Sequence, residues 1–487
     1  PISSKHAAHR QEQVGSGLRR DHEVKKMLHR LYGSVHPNDR KSATRHLAVT
    51  PMEHPPAFVV LPMAMHVGAP CKPIVSKGDH VLWGQKVAEP TGLGAPIHAS
   101  VSGTVLAVEP RLHPGGTPVL SVVIENDFQD TPAPPLERRA SPENLTSGEI
   151  VDLIAEAGIV GLGGAGFPAS VKLKGAIGKV DTLIINGAEC EPYITADHRL
   201  MLEDGERILG GVKILMHALN LKEATIGVEG NKMDAIEHLR SLAGPDSGIH
   251  VTALKTRYPQ GAEKQLIQKL TGRQVPSGKL PADVQCVLFN VSTAAAIYDA
   301  VHDGRPLTRR IVTVSGGAVH TPCNLMVPIG TPLDHLLEEC GGLTADPGRV
   351  LLGGPMMGNA QFDLNAATIK GTNALLLLER HECSPIPIKD PPCIRCGRCV
   401  RACPMNLTPL YFDLYTRHGR PRELEKYHVM DCIECGSCAY VCPSHIRLVQ
   451  SIRTAKNEVR RHAQLEKERQ AALEKVRATQ EGKEAKQ

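Results

Sequence analysis

The spacing of apolar positions along the chain changes several times, and each change marks a region of different predicted structure. From about Pro51 to Asn126 apolar residues come in short runs broken by Gly and Pro, among them 57–61, 86–88 and 121–125, a pattern that predicts β-strands. A Pro-rich stretch, 131–142, reads as a linker. Thr146 and Glu149 then have capping-box spacing, and Ile150, Leu153 and Ile154 follow at helical intervals. Strand-like runs at 182–185, 224–227, 251–254 and 284–289 alternate with helical patterns at 206–219, 232–241, 262–270 and 293–301. That alternation predicts an α/β layered domain reaching to about residue 305. Arg310 to Val314 opens a smaller β-rich unit, and a helical run at 333–340 ends at Gly341-Gly342, a suitable C-cap. After a second Pro-rich stretch, 385–392, helical patterns recur at 408–417 and 421–427. From Arg453 the chain is rich in Glu, Lys, Arg, Ala and Gln, a helix-forming mixture without a sustained heptad.

Composition narrows the function classes. At 487 residues the chain is long enough for three or four domains, each with its own core. Aromatics make up 3% with a single Trp, Trp83, which weighs against nucleic-acid binding on aromatic stacking platforms. The net charge of +5 is uneven: residues 1–50 hold ten Lys/Arg against four Asp/Glu, and residues 453–487 hold ten against six. Both ends read as solvated extensions, the competing reading being a basic arm resting on an acidic partner or an anionic membrane surface. No apolar run approaches the roughly 18–20 residues that span a bilayer, and no secretory hydrophobic segment is expected at the start.

Cysteine spacing carries the sharpest chemistry. Cys393-x2-Cys396-x2-Cys399-x3-Cys403-Pro404 recurs as Cys432-x2-Cys435-x2-Cys438-x3-Cys442-Pro443. Three thiolates two residues apart wrap three corners of one cubane, while the fourth, followed by Pro, leaves along a helix towards the other cluster. Two [4Fe–4S] clusters are therefore expected, on Cys393, Cys396, Cys399 and Cys442, and on Cys432, Cys435, Cys438 and Cys403. Structural zinc fits worse, because zinc sites usually separate two Cys pairs by a loop. Of the remaining cysteines, Cys190 lies between two acidic residues that disfavour a thiolate, and Cys71, Cys286, Cys323, Cys340 and Cys383 read as small buried apolar residues. The 23 His residues are scattered, and none reads as a metal ligand.

A second signal lies in Gly161-Leu162-Gly163-Gly164-Ala165-Gly166-Phe167-Pro168. It follows a helix rather than a strand and so is no Rossmann fingerprint, and it lacks the Gly-Lys-Ser/Thr of a Walker loop. Lys172, Asn186-Gly187-Ala188-Glu189-Cys190-Glu191-Pro192, Tyr258-Pro259-Gln260-Gly261-Ala262-Glu263 and Asn290-Val291-Ser292-Thr293 come after it. In this order they resemble the flavin-binding subunit of respiratory complex I, over roughly residues 145–375. The resemblance implies an FMN site, with NAD(H) as substrate. Gly163, Gly164 and Gly166 would let the backbone approach the flavin, and Lys172 would offset phosphate charge. Asn186, Asn290 and Thr293 would hydrogen-bond the flavin, with Tyr258 and Gly261 beside them and Glu189 in the same acidic turn. Phe167, Glu191 and Glu263 would face the nicotinamide nucleotide. The chain departs from that family at Ala262, Ala188 and Gly175, where the family has Glu, Asp and an aromatic residue.

The flanking regions extend the resemblance. Gly78-Asp79-His80-Val81 with Gly84-Gln85, and Ala95 to Ala99 running into Ser102 to Val105, resemble the two halves of a barrel-sandwich hybrid without a carrier lysine between them. Val314 to Pro322 resembles the start of an SLBB-like β-grasp domain. The expected architecture is a multidomain α/β plus β chain. It runs as a basic extension (1–50), barrel-sandwich hybrid (51–130), complex-I-type FMN-binding α/β domain (131–305), β-grasp domain (306–384), helical dicluster ferredoxin domain (385–452) and charged helical tail (453–487). That order resembles the C-subunit family of the Rnf complex, an ion-translocating ferredoxin:NAD+ oxidoreductase. The resemblance implies a peripheral subunit on the cytoplasmic side of the bacterial inner membrane. It would exchange hydride with NAD(H) at FMN and relay single electrons to or from an iron–sulfur subunit. Integral membrane subunits would carry the ion, with ferredoxin or flavodoxin as indirect partners and no nucleic acid. A soluble flavin and iron–sulfur cobalamin reductase is the alternative, but there the barrel-sandwich element lies towards the C-terminus. An electron-wire subunit without a nucleotide site is the other alternative.

Overall fold

The β-rich first region resolves into two facing sheets in the computed structural model, which describes residues 33–137, 141–164, 166–383 and 391–484. Its strands are β1 (Val49–Pro51), β2 (Phe58–Pro62), β3 (Cys71–Pro73), β4 (His80–Val81), β5 (Lys86–Pro90), β6 (Ile97–His98), β7 (Gly103–Leu112) and β8 (Pro118–Asn126). One sheet has the order β2-β8-β7-β4 and the other β3-β5-β6. Val59, Leu61, Val81, Val87, Ile97, Val105, Val122 and Ile124 fill the space between them, all fully buried. β1 stands apart and joins a sheet described below.

The four strands of the α/β region and five of its helices fall where the apolar periodicity places them, while Ala169–Ala176 and Ala196–Glu203 are helices that it does not predict. They are α1 (Ser147–Glu156), α2 (Ala169–Ala176), β9 (Thr182–Gly187), α3 (Ala196–Glu203), α4 (Gly205–Leu219), β10 (Ala224–Glu229), α5 (Met233–Ala243), β11 (Ile249–Leu254), α6 (Glu263–Thr271), β12 (Cys286–Asn290) and α7 (Val291–His302). The Thr146/Glu149 capping box opens α1 as expected. All four strands are parallel in the order β11-β10-β9-β12. From β9 the chain builds outward through β10 and β11, then returns to lay β12 on the other side. The crevice at the carboxyl ends of β9 and β12 is thus a topological switch point, where open parallel sheets receive ligands.

Next come β13 (Arg309–Ser315), β14 (Cys323–Pro328), α8 (Leu333–Glu339), β15 (Arg349–Leu352), β16 (Asn359–Gln361) and β17 (Ala374–Leu378). Their mixed sheet has the order β1-β14-β13-β17-β15-β16 and grips α8 through Leu333, Leu336 and Leu337. β1 pairs in parallel with β14, so the segment before the barrel-sandwich strands completes this sheet. The expectation of a solvated extension up to residue 50 therefore fails from Pro37 onward. Lys41 is 2% exposed and Thr44 fully buried, because Lys41 donates to the Glu189 carbonyl and carboxylate and Thr44 Oγ1 accepts from the Thr195 hydroxyl. Residues 1–32 lie outside the described residues, as do 384–390 of the second Pro-rich stretch. Cys323 and Cys340 are not independent apolar fillers: their sulfurs lie 2.8 Å apart across this domain.

Residues 37–383 form one compact unit; the cysteine-rich region 391–484, with residues 33–36, forms the other. The second unit contains α9 (Arg398–Ala402), α10 (Pro409–Arg417), α11 (Pro421–Lys426), α12 (Ser437–Tyr440) and α13 (Leu448–Glu484). Phe412, Leu424, Val429, Ile446, Ile452, Ala455 and Val459 form its core. The last three lie on α13, so the first turns of the expected solvated tail are structural. Among the described residues no helix is long and apolar enough to cross a membrane.

Candidate functional site

Asn186 lies one residue before the end of β9, Asn290 ends β12, and the two pair in register. Asn186 Nδ2 donates to Gly261 O at 2.8 Å, and its Oδ1 accepts from Ala188 N at 2.9 Å. Asn290 Nδ2 donates to Asp197 Oδ2 at 2.7 Å, and its Oδ1 caps α7 through Ser292 N at 2.8 Å. Ser292 Oγ also donates to Asp197, at 2.6 Å. Both asparagines are thereby locked at the switch point. Asp197, on α3, is the organising carboxylate that sequence inspection missed, since it belongs to none of the recognised phrases.

The glycine loop lies over this pair. Thr293 Oγ1, fully buried at the start of α7, accepts from Leu162 N at 2.9 Å. Gly166 O accepts from Val67 N of the barrel-sandwich domain at 2.9 Å. Gly163 and Gly164 remain exposed. A side chain at Gly163 would begin 3.2 Å from Asn290 Cβ, whereas nothing lies within 4 Å of that point at Gly164, whose φ is +122°. The loop therefore offers bare backbone on an open face. Phe167 is half-buried at its end.

The acidic turn after β9 is tightly engaged. Glu189 is buried, with Oε2 3.2 Å from Lys41 Nζ and Oε1 accepting from Asp197 N at 2.8 Å. Its carboxylate is therefore committed to holding the N-terminal segment and α3, and it braces the crevice from behind. Glu191 accepts from the Tyr258 hydroxyl at 3.2 Å and from Met356 N at 3.1 Å. A side chain at Gly354 would collide with its carboxylate. The turn Gly353-Gly354-Pro355-Met356, which sequence reading passed over, thus reaches from the β-grasp domain to the acidic turn. Burial pushes the Glu191 carboxyl up to about 7. Burial, with Glu229 and Glu191 adding to it, raises the Cys190 thiol to about 12, so it is no ready nucleophile. Gly261 packs so closely that a side chain there would begin 2.2 Å from Ala188 O. Lys172 and Glu263 pair with each other at 2.5 Å on the rim, with the Lys172 ammonium 5.7 Å from the Phe289 ring centre.

The open backbone at Gly163 and Gly164, the fixed amides of Asn186 and Asn290 and the rim cation suit a flat nucleotide with a phosphate tail. The residues named from the sequence as cofactor-binding lie in one region, but Glu189, Thr293, Tyr258 and Gly166 are buried behind the open face rather than on it.

The cysteines form two cavities. Cys393, Cys396, Cys399 and Cys442 line one, and Cys403, Cys432, Cys435 and Cys438 line the other. Each thus takes three cysteines from one motif and one from the other. The motifs repeat in backbone as well: Arg395 and Glu434 both have φ +55°, and Gly397 and Gly436 have φ +72° and +78°. Left-handed residues at matching positions turn peptide N–H groups inward, as clusters of sulfide and thiolate require. Among the described residues no three Cys, His, Asp or Glu side chains converge closely enough for a single metal ion. Four thiols spread around a cavity suit a cubane better than one zinc. Cys393 and Cys396 are exposed, whereas Cys403, Cys435 and Cys438 are buried.

Comparison with known proteins matches each of the four folded regions between residues 29 and 446. Family models for the RnfC barrel sandwich hybrid domain, the Nuo51 FMN-binding domain, the SLBB domain and the 4Fe-4S dicluster domain match residues 29–129, 154–299, 311–360 and 392–446. The chain is 47% identical to the C-subunit of the Na+-translocating ferredoxin:NAD+ oxidoreductase complex of Acetobacterium woodii, covering 88% of this chain and 96% of that one. It is 44% identical to the C-subunit of the proton-translocating ferredoxin:NAD+ oxidoreductase complex of Clostridium ljungdahlii, covering 91% and 96%. Among solved structures, an NAD+-reducing [NiFe]-hydrogenase aligns at 17% identity and a TM-score of 0.46, over 66% of this chain and 64% of that one. With such identity across nearly its whole described length, the chain belongs to the C-subunit family of the Rnf complex.

Proposed function

We propose that this chain is the nucleotide-side subunit of an ion-translocating ferredoxin:NAD+ oxidoreductase, peripheral on the cytoplasmic face of a bacterial inner membrane. The observation that carries this reading is one chain of the C-subunit family holding both an FMN-binding domain, open at its switch point, and a dicluster domain with two cysteine-lined cavities. FMN held there would supply two-electron exchange with a nicotinamide and one-electron exchange with each cluster. Gly163 and Gly164 bring bare backbone to the flavin and Asn186 and Asn290 fix its orientation from the strand ends, while the buried Gly166 and Thr293 hold the loop from behind through Val67 and Leu162. Gly261 lines the crevice with Tyr258 buried behind it, and Lys172 with Glu263 meets charge on its rim. Phe167 and Glu191 face the nicotinamide side, and Glu189 supports the turn through Lys41.

Cys393, Cys396, Cys399 and Cys442 hold one cluster, and Cys403, Cys432, Cys435 and Cys438 the other. The exposed thiols of the first set make its cluster the one that meets an outside electron partner, an iron–sulfur subunit of the same complex. Integral membrane subunits then carry the ion, and ferredoxin or flavodoxin exchanges electrons indirectly. The cobalamin-reductase alternative is not favoured, because the RnfC-type barrel-sandwich domain leads this chain. The test is anaerobic: load the chain with iron, sulfide and FMN, add NADH, and follow flavin bleaching and cluster EPR. Bleaching followed by reduced-cluster signals is expected. Full iron and flavin content with no response to NADH would leave an electron wire and overturn the nucleotide-side role.

A further inference from the structure

Two cations are sealed beside the glycine loop, and no carboxylate pairs with either among the described residues. Arg310, on β13, is 6% exposed, and Lys370, just before β17, is 1% exposed. Arg310 donates to Lys370 O and, at 3.2 Å, to Leu162 O. Lys370 Nζ donates to Pro96 O at 2.5 Å and to Gly158 O at 2.7 Å. These partners are all backbone carbonyls. A buried charge without a counter-ion is costly unless it neutralises or meets an opposite charge. Lys370 can neutralise, since burial lowers its ammonium to about 7. Arg310 falls only to about 10 and keeps its charge at neutral pH. Asp197 offsets it only from a distance, being bonded to Asn290 and Ser292.

The placement of that charge is informative. The carbonyl it holds belongs to the Leu162–Gly163 peptide, whose N–H is that of Gly163, an exposed residue of the loop. A guanidinium on the carbonyl polarises the whole peptide unit and strengthens its N–H as a donor. The same loop is fastened to the start of α7 through Thr293, where helix amides add positive potential. Gly371, next to Lys370, sits against the loop as well: a side chain there would begin 3.9 Å from Gly164 O.

We propose that Arg310 is a positioning residue whose buried charge makes the Leu162–Gly163 peptide a seat for the anionic part of the bound flavin nucleotide, either its phosphate or its electron-rich reduced ring. The inference rests on the flavin occupying this crevice. It gives the β-grasp domain a direct part in flavin binding, delivered from β13 into the neighbouring domain.

The full chain, loaded with clusters, is compared as wild type, Arg310→Gln and Arg310→Lys. FMN and riboflavin affinities are read by flavin fluorescence, the flavin midpoint potential by spectroelectrochemistry, and folding by iron content and cluster EPR. If the seat holds phosphate, Arg310→Gln loses tenfold or more of the preference for FMN over riboflavin. If it holds the reduced ring, that variant loses about tenfold in preference for reduced flavin. This lowers the potential by about 30 mV for a two-electron couple. In either case Arg310→Lys recovers most of the loss. Both properties unchanged within twofold in Arg310→Gln, or Lys as deficient as Gln, overturns the proposal. Should Arg310→Gln be insoluble, Arg310→Lys decides alone: it keeps the charge but loses the fork to two carbonyls. Wild-type preference and potential then support the charge, and their loss points to shape alone. Wild-type protein that binds no FMN would sink the flavin placement itself, a different result from an unchanged Arg310→Gln.

Discussion

Two buried groups titrate near neutrality, and each has a definite sign. Glu191 has its carboxyl raised from 4.5 to about 7 by burial. Its contribution to stability is present below pH 4.5 and lost as the pH rises through 7. Glu191→Gln should therefore gain on wild type in thermal stability between pH 5 and 8, and the ionisation near 7 should vanish from the pH profile of NADH-dependent flavin reduction. Lys370 runs the other way: its pKa falls from 10.5 to about 7, so its contribution is present above 10.5 and lost as the pH falls through 7. Lys370→Met should abolish that slope in melting temperature between pH 7 and 10. A third residue tests the crevice wall. Gly261→Ala would set a methyl 2.2 Å from Ala188 O, and a loss of about 2 kcal/mol or more is expected, with FMN retention falling alongside. An unchanged melting temperature would show that the acidic turn yields.

Elements whose apolar period is local were legible from sequence. β9 to β12 and α4 to α7 fall within a few residues of the runs that predict them, because a core-facing strand or helix writes its period into consecutive residues. What local pattern does not encode is a partner far along the chain. Lys41 read as one charge in a basic run, yet Glu189, 148 residues away, buries it. Cys323 and Cys340 lacked recognisable spacing and still touch. α13 shows the same limit: its composition reads as solvated helix, and only the fold reveals that Ile452, Ala455 and Val459 close the cluster domain. Ile452→Ala should cost about 2–5 kcal/mol and speed iron loss to a chelator. A stop codon after Gln464 should leave iron content intact, because among the described residues α13 lends none beyond Val459 to that core.

Across the whole molecule, function is divided between two units, and within each the pieces are interlocked. In the larger unit the crevice proposed for the flavin draws on the barrel-sandwich domain through Val67 and on the β-grasp domain through Arg310 and Met356. In the smaller, each cavity borrows one cysteine from the opposite motif. Cys442→Ser should therefore remove the cluster signal belonging to the first motif and spare that of the second, and Cys403→Ser the reverse. Loss confined to a variant's own motif would refute the crossed pairing. The crossing also sets a schedule for biosynthesis. Cys442 follows Cys393 by 49 positions. While the ribosome is still between them, the first motif has only three of its four sulfur corners. Cys403, already made, waits for a partner set that is complete only at Cys438. The first cluster to be started is thus the last that can be finished, and the cellular iron–sulfur machinery must deliver both to one nearly finished domain.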